Sequence, residues 1–440
     1  MRTELRGATA CAILFAAVLL SWPAFWNGYP LVFSDTGTYL TQAIERYVGW
    51  DRPVFYSLFL FPLHMTVTTW PVVAAQALIL AHLLHLLRRS LLPGASVWWV
   101  VPIAAMLALC SPLPWLSSQL MPDVFTGVVV LSLVLLVLPG DRFSPVERIW
   151  LVALSAFAIA VHQSHVLLAA AVLLVLLPLR RSRMPVVWGL APLILAVLAL
   201  TSVNLIAFGR ASVSPFGNVF LLNRVIYDGP GLDVLRRDCP GAGWRLCPFI
   251  GSMPALADDF LWRPDGPVAL AGGAKLVSRD ADAIVAAALA AEPGTELRAF
   301  VKNSTQQFVR FASGDGLQAW PDTVAPRIDR HFPRFENAAF ANSRQSAGEL
   351  RVPAWLQALH AAAGLAGIAG CCALLLTVPR RHPAILYAAA VLVALLANAV
   401  ITGGLSGPHD RYQSRIMWLP PLVAMLGAAS VRRAAAPAFS

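Results

Sequence analysis

The sequence has little charge and almost no lysine. Only 13% of its 440 residues are charged, 58% are hydrophobic, and the mean hydropathy is +0.67. A soluble chain of this length could not bury so much apolar side chain, so the composition indicates that lipid solvates much of the molecule. Strand-like alternation of polar and apolar residues is also absent, which leaves α-helices as the structure that crosses the membrane.

The formal charge is +10, yet the sequence shows no sign of a nucleic-acid-binding surface. Lys275 and Lys302 are its two lysines, and the arginines occur in short clusters between apolar runs. This distribution is typical of membrane topology and not of a polyanion partner, so we expect no nucleic acid. HExxH and paired Cys/His spacings are missing, so a zinc site has little support.

About ten apolar runs approach the ~20 residues that cross a hydrocarbon layer of ~30 Å. The first run follows Arg2 and Arg6 but lacks a small-x-small cleavage site, so we interpret it as a retained anchor. Residues 53–63 are apolar but interrupted by prolines, which indicates a short surface helix. We therefore predict an all-α polytopic membrane protein with about ten transmembrane helices. The predicted spans are residues 8–27, 66–87, 96–111, 122–138, 148–162, 164–179, 186–208, 354–378, 383–402 and 414–431.

The arginines of the short loops and ends predict the orientation. If the N-terminus is cytoplasmic, thirteen lie inside and four outside, which is a clear positive-inside bias. We expect a multi-pass protein of a bacterial inner membrane with both termini in the cytoplasm. The inside set is Arg2, Arg6, Arg88, Arg89, Arg142, Arg148, Arg180, Arg181, Arg183, Arg380, Arg381, Arg432 and Arg433, and the outside set is Arg46, Arg52, Arg411 and Arg415.

A segment of 144 residues, 209–352, separates predicted spans seven and eight and lies on the outer side. It carries 15 of the 23 acidic and 16 of the 33 basic residues, so it is nearly neutral and indicates a folded, mainly α-helical periplasmic domain. The chain then divides into a membrane part at 1–208, this domain, and a second membrane part at 353–440. Cys239 and Cys247 are the cysteines outside the predicted spans, and they lie where a disulfide persists, so we predict a structural bridge.

Polar side chains collect at the outer ends of the predicted spans, whereas the inner loops hold mainly arginines. Ionisable groups at membrane depth are costly and usually mark a function. The outer face is therefore where we expect chemistry. The candidate residues are Asp35, Tyr39, Arg52, Gln119, Asp123, His162, His165, His409, Arg411, Tyr412 and Arg415.

Each candidate also has a structural interpretation. Asp35 could cap a helix that begins with Thr-Gly-Thr, and Asp123 follows a proline where a carboxylate complements the helix dipole. His162 and His165 could hydrogen-bond within a tight turn. None of these aspartates or histidines indicates a function by itself. The functional interpretation depends on their predicted location at the same outer face.

Arg411 and Arg415 are one helical turn apart at the mouth of the last span. They could be interfacial residues whose heads reach the water. They lie, however, on the side where the positive-inside rule disfavours arginine. Two such guanidinium groups suit a phosphate, whose oxygens accept their fork-shaped donors.

Four short motifs occur in an order that resembles the GT-C superfamily, the polytopic glycosyltransferases that use polyprenyl-phosphate-linked sugars. An aspartate follows the first span in "FSDTGTYL", and a proline-aromatic stretch follows in "RPVFYSLFLFPL". An acidic residue stands in the second outer loop in "MPDVF", and the last span begins with "DRYQSRIMWLPPL". The resemblance covers the membrane part, about two-thirds of the chain.

The resemblance implies an inverting transfer of a sugar from a polyprenyl-phosphate donor to an envelope glycan or lipid on the outer face. Asp35 would be the general base, and Asp123 would orient the acceptor or help to hold a divalent cation, Mg²⁺ or Mn²⁺. Arg411 or Arg415 would hold the lipid phosphate as it leaves. His162 and His165 would be weaker phosphate or acceptor contacts, and the further substrate contacts would be Tyr39, Arg52, Gln119, His409 and Tyr412.

Two departures from the family pattern leave questions open. Many members carry paired acidic residues in the first outer loop, whereas Thr36 follows Asp35 here, so metal dependence stays open and no cofactor is certain. Many relatives also append their outer domain at the C-terminus. Two other functions remain, a flippase of lipid-linked glycans and a non-catalytic envelope assembly factor. Residues 190–200 and 361–376 carry no charge along the predicted path, which favours an enzyme over a flippase.

Overall fold

The computed structural model describes residues 2–138, 142–179 and 183–435. Helices make up 73% of the chain, and the part described contains no β-strand, only an isolated bridge between Leu31 and Gln119. The described part of the protein is therefore all-helical. Asp141, Arg180 and Arg181, which we place on the inner side, lie outside the described residues.

The first membrane part contains eleven α-helices in the described residues. Its predicted first span is divided at Ser21 into two helices, and 3₁₀ turns Val97–Trp99 and Pro122–Val124 precede the sixth and eighth helices. The helices are α1 Arg2–Leu20, α2 Trp22–Asn27, α3 Thr36–Ile44, α4 Phe55–His64, α5 Trp70–Leu91, α6 Val100–Cys110, α7 Leu113–Ser117, α8 Phe125–Val137, α9 Pro145–Ala160, α10 Gln163–Leu176 and α11 Arg183–Phe208.

The outer segment and the second membrane part follow. A 3₁₀ helix, Cys247–Ser252, lies within the former, and a π-helix, Val400–Gly404, extends α21 in the latter. The helices are α12 Gly217–Asp228, α13 Gly231–Ala242, α14 Ala257–Trp262, α15 Pro267–Leu270, α16 Ala274–Ala291, α17 Pro293–Val309, α18 Ala325–His331, α19 Arg334–Ala341, α20 Ala354–Thr377, α21 Pro383–Ala399, α22 Asp410–Ser414 and α23 Leu419–Ala435.

Among the described residues, five helical segments are long and apolar enough to cross a membrane. Several of the other predicted spans coincide with apolar helices of 17 residues or fewer, so the number ten stays a prediction. The five are Trp70–Leu91, Val186–Phe208, Ala354–Thr377, Pro383–Gly404 and Asp410–Ala434.

Helix α8 forms the centre of the membrane part. All its residues are buried, as expected of a sequence that is apolar on every face. Its Ser132 hydroxyl lies 2.5 Å from that of Ser155, so a polar group inside the core is hydrogen-bonded. Gly127 packs against the indole of Trp418, where a Cβ would overlap the ring. This packing fixes the start of α8, next to Asp123.

The outer segment 209–352 packs as two parts. Residues between Val219 and Ala288 share a hydrophobic core of their own. In contrast, Val324, Ile328 and Phe332 belong to the core of the membrane helices. The second half of the outer segment is therefore continuous with the membrane part.

Glu336 of α19 fixes this second half to the membrane part. Its Oε1 accepts hydrogen bonds from the Tyr29 hydroxyl, the Thr69 backbone N–H and the Thr69 hydroxyl, each at 2.8 Å. Glu336 and Tyr29 are both buried. The three donors satisfy one carboxylate oxygen and join α19 to the loop after α2 and to the start of α5.

Candidate active site

Asp35 lies in a segment that hydrogen bonds hold against the second outer loop. The Leu31 N–H donates to the Ser118 carbonyl at 2.9 Å, and the Leu120 N–H donates to the Leu31 carbonyl at 2.8 Å. The Thr36 hydroxyl donates to the Leu120 carbonyl at 3.1 Å. This short pairing fixes the backbone on both sides of Asp35.

Asp35 occupies the N-cap position of α3, but its side chain makes no capping hydrogen bond. Its carboxylate instead lies 2.6 Å from Arg52 through Oδ1, which also accepts from the Ser34 hydroxyl at 3.2 Å. The capping interpretation is therefore right about the position of Asp35 but not about the role of its carboxylate, which does not cap the helix. The carboxylate is mostly buried, with 13% of the side chain exposed.

Arg52 joins two carboxylates of the first outer loop. Besides Asp35, it pairs with Asp51 at 3.3 Å. Burial disfavours the charged form of Asp35, but Arg52 and Arg411 outweigh it and hold the pKa of Asp35 below its ordinary value. At Asp51, burial raises the pKa, and the nearby Asp35 adds to that effect. Of the two carboxylates, Asp35 is thus the one whose pKa is lowered.

Arg411 faces the other oxygen of Asp35, with Nη1 3.8 Å from Oδ2. Its guanidinium lies over the Phe33 ring at 3.9 Å, and its backbone N–H donates to Asp315 at 3.0 Å. Nη1 is buried without a hydrogen-bond partner among the described residues. A buried guanidinium N–H without an acceptor is unfavourable, so this atom marks a place for an anionic ligand.

Arg415 and Asp123 form a second, deeper pair. They lie 3.4 Å apart, and both side chains are almost fully buried. Arg415 Nη2 also donates to Asn398 Oδ1 at 2.8 Å and to the Ser164 hydroxyl at 3.1 Å. Oδ2 of Asp123 has no hydrogen-bond partner within the described part of the chain. The donors of Arg415 are largely engaged, so Arg411 is the better phosphate ligand of the two.

Tyr412 lies beside both arginines. Its ring centroid is 5.1 Å from the Arg411 guanidinium carbon and 5.6 Å from that of Arg415. His409 is exposed and packs edge-on against Tyr412 at 5.3 Å. Both residues therefore lie at the mouth of the arginine pair.

The two histidines of the "HQSH" turn differ in their availability. His162 Nδ1 lies 2.9 Å from the Ser164 hydroxyl and accepts from its backbone N–H, so it caps α10. His165 is buried, with Nε2 2.8 Å from the Thr126 hydroxyl and Nδ1 2.7 Å from the Ala158 carbonyl. Both ring nitrogens of His165 are engaged, so its geometry supports a packing role and not a phosphate contact.

Gln119 and Tyr39 are also buried. The Gln119 side chain donates to the Val32 carbonyl at 3.4 Å, which supports the pairing of the two outer loops. Tyr39 packs edge-on against Tyr56 at 5.0 Å and lies within electrostatic reach of Arg52 and Asp35. Tyr39 therefore lies near the carboxylate of Asp35. Gln119 instead supports the backbone that precedes Asp35.

The residues do not fit a divalent cation. Asp35 and Asp123 each have an arginine partner, and a metal ion placed there would lie beside guanidinium groups of the same charge sign. No group of three His, Cys, Asp or Glu side chains suited to a metal occurs in the described ranges.

Cys239 and Cys247 are joined in a disulfide, with their Cα atoms 5.2 Å apart. The bridge joins α13 to the start of the 3₁₀ helix that follows. It therefore has a structural role in the first half of the outer segment.

Comparison with known proteins adds nothing to this geometry, since no protein family, curated protein or solved structure matches the chain. The site also contains residues that the sequence reasoning missed. Asn398 and Asp315 hold Arg415 and Arg411, respectively. The sequence could have indicated Asn398, because it is an isolated amide in the apolar run "VLVALLANAV". Nothing in the sequence around Asp315 points to the site.

Proposed function

We propose that the protein is a membrane glycosyltransferase of the GT-C type. It transfers a sugar from a polyprenyl-phosphate donor to an envelope acceptor at the outer face of a bacterial inner membrane, with both termini in the cytoplasm. The observation that carries the proposal is the position of Asp35. One carboxylate oxygen is fixed by Arg52 at 2.6 Å, and the other faces the unpaired Nη1 of Arg411 at 3.8 Å.

Asp35 acts as the general base. Because its pKa is lowered, the carboxylate is ionised at neutral pH and can accept a proton. Arg52 and Ser34 both engage Oδ1, so Oδ2 is the oxygen that receives the proton of the acceptor hydroxyl. The hydroxyl oxygen attacks the anomeric carbon as the bond to the donor phosphate breaks, so the configuration inverts and no covalent enzyme intermediate forms.

Arg411 binds the donor phosphate. Its unpaired N–H gains an acceptor when the phosphate binds, and the interaction strengthens as negative charge develops on the leaving phosphate. Phe33 and Asp315 hold Arg411 in place before the donor arrives. Arg415 and Asp123 position the start of α8 and the entry to the last helix.

The test is a gene deletion complemented with variants in the source bacterium, followed by mass spectrometry of lipid-linked sugars and envelope glycans. We expect the deletion and Asp35→Asn to accumulate one polyprenyl-phosphate sugar and to lose the matching sugar from an envelope product. Asp282→Asn, which changes an exposed aspartate of the outer segment, is the matched control and should restore both.

Full complementation by Asp35→Asn would refute the catalytic role and leave the assembly-factor alternative. If the protein were a flippase, an inactive variant would leave the lipid-linked substrate on the inner leaflet. Periplasmic accessibility of the accumulated lipid to a sugar-oxidising reagent separates these outcomes, because a transferase defect leaves the donor on the outer leaflet.

A further inference from the structure

Three aromatic rings lie together beside Arg52, outside the charged cluster. Trp50 stacks on Phe220 with centroids 5.6 Å apart and on Trp262 at 5.6 Å. Phe220 and Trp262 are themselves 5.9 Å apart. The group joins the first outer loop to α12 and α14 of the outer segment. Trp262 nevertheless leaves 41% of its surface exposed.

Arg52 connects these rings to the proposed base. Its guanidinium carbon lies 5.3 Å from the Trp262 ring centroid, while its Nη2 is 2.6 Å from Asp35. The ring centre is therefore within about 9 Å of the Asp35 carboxylate, given a C–N bond of ~1.3 Å. That distance is on the scale of a disaccharide.

Helix α14 also approaches the site from its other end. Asp258, in its first turn, is exposed and lies within electrostatic reach of His409. The helix thus lies near Arg52 at one end and near the mouth of the arginine pair at the other.

The chemistry of this surface matches a sugar ring. A pyranose has a face of C–H groups, which the electron-rich face of an aromatic ring attracts, and a rim of hydroxyls, which charged side chains hydrogen-bond. Here Trp262, which is partly exposed, lies against Arg52, and Arg52 pairs with Asp51 and Asp35. An alkyl chain would gain nothing from those charges and would lie next to their hydration, so a lipid tail fits poorly.

We propose that Trp262, with Trp50 and Arg52, forms a saccharide subsite that stacks a pyranose ring of the acceptor. The acceptor is accordingly a glycan and not a simple lipid. This inference rests on the proposed function, because Asp35 as the base places the acceptor on this side of the donor phosphate.

The test is saturation-transfer difference NMR with the full chain in lipid nanodiscs. The probes are methyl β-D-glucopyranoside, methyl β-D-galactopyranoside and methyl α-D-mannopyranoside. We expect transfer to the ring C–H protons of at least one probe, about tenfold weaker binding in Trp262→Ala, and partial recovery in Trp262→Phe, which keeps an aromatic face. Trp355→Ala removes another exposed tryptophan, at the start of α20, and should bind the probe as the wild type does.

Absence of transfer to all three probes, or equal transfer in Trp262→Ala, overturns the subsite. Complementation by Asp35→Asn tests the catalytic role separately from probe binding by Trp262→Ala, so the two proposals can fail independently. If Asp35→Asn complements fully but Trp262→Ala loses probe binding, the saccharide site survives and the catalytic role of Asp35 fails.

Discussion

Asp35 Oδ2 and Arg411 Nη1 face each other at 3.8 Å, too far apart for a hydrogen bond and too close for a water molecule between them. Both groups are ionised and mostly buried, so their attraction is stronger than it would be at the protein surface. Each retains capacity for a further partner on its open side. The pair therefore places a proton acceptor, Asp35, next to Arg411, whose N–H can donate a hydrogen bond to a phosphate.

The first prediction concerns the protonation of Asp35. Arg52 lowers the pKa of Asp35, so Arg52→Met should raise that pKa towards and above its ordinary value, because burial is then less opposed. Carbon-13 NMR of aspartate-labelled protein in nanodiscs measures the titration, and Asp35→Asn assigns the signal. An unchanged Asp35 titration in Arg52→Met would remove the electrostatic basis of the site.

The same shift has a consequence for stability. A carboxyl group whose pKa is lowered on folding stabilises the folded state above its unfolded pKa, and this stabilisation is lost as the pH falls through the folded pKa. The wild type should therefore lose more thermal stability than Asp35→Asn when the pH falls below the ordinary range of aspartate. The midpoint of thermal unfolding, followed by tryptophan fluorescence, measures this difference.

The second prediction separates Arg411 from Arg415. Arg411→Met should weaken binding of farnesyl phosphate by about 10- to 100-fold, since a hydrogen bond to a charged group contributes ~1.5–3 kcal/mol, while folding is retained. Arg415→Met removes the partner of Asp123, Asn398 and Ser164, so it should lower thermal stability as well. Isothermal titration calorimetry in detergent measures the affinity.

Arg330→Met is the matched control. Arg330 is 70% exposed, and its ion-pair partner is Glu45 and not a residue of the proposed phosphate site. It should bind farnesyl phosphate as the wild type does. If Arg411→Met also retains wild-type affinity, the unpaired N–H of Arg411 is not the phosphate site.

The sequence predicted the helical class and the shared location of several site residues, because both depend on apolar run length and charge distribution. Asp35, Arg52 and Arg411 form one cluster, as their common outer face suggested. The partners of Arg411 could not be found in this way. Asp315 and Phe33 are 282 positions apart in the chain, and only the packing of the outer segment on the first loop brings them to the same arginine.

His165 shows a second limit of sequence reasoning. The spacing of "HQSH" places both histidines at a turn, but it does not reveal which ring nitrogens find protein partners. Thr126 and Ala158 lie on two other helices, and they engage His165 on both sides. Burial between helices, and not position in a motif, decides whether a histidine can contact a ligand.

The third prediction concerns Gly37, two residues after Asp35. A Cβ at this position would overlap the carbonyl oxygen of Thr323 and crowd Arg327. Gly37→Ala should therefore displace residues 320–328 and increase their hydrogen–deuterium exchange, with loss of complementation. Gly294→Ala introduces a methyl group into open space at the start of α17 and should leave exchange unchanged. Equal exchange in the two variants would show that the outer segment does not depend on this contact.

The fourth prediction concerns the buried carboxylate of Glu336. Glu336→Ala leaves the Tyr29 hydroxyl and the Thr69 backbone N–H without an acceptor, and each such group costs about 1–3 kcal/mol. The Thr69 hydroxyl can still donate to the Tyr29 hydroxyl oxygen at 3.0 Å. Tyr29→Phe removes a single donor, so it should destabilise less, and Glu336→Gln should lie between them because its carbonyl still accepts. Thermal unfolding in detergent, followed by tryptophan fluorescence, ranks the three variants. Glu349→Ala, at an exposed position, should match the wild type. If Glu336→Ala unfolds at the same temperature as Glu349→Ala, this carboxylate does not fix the outer segment to the membrane helices.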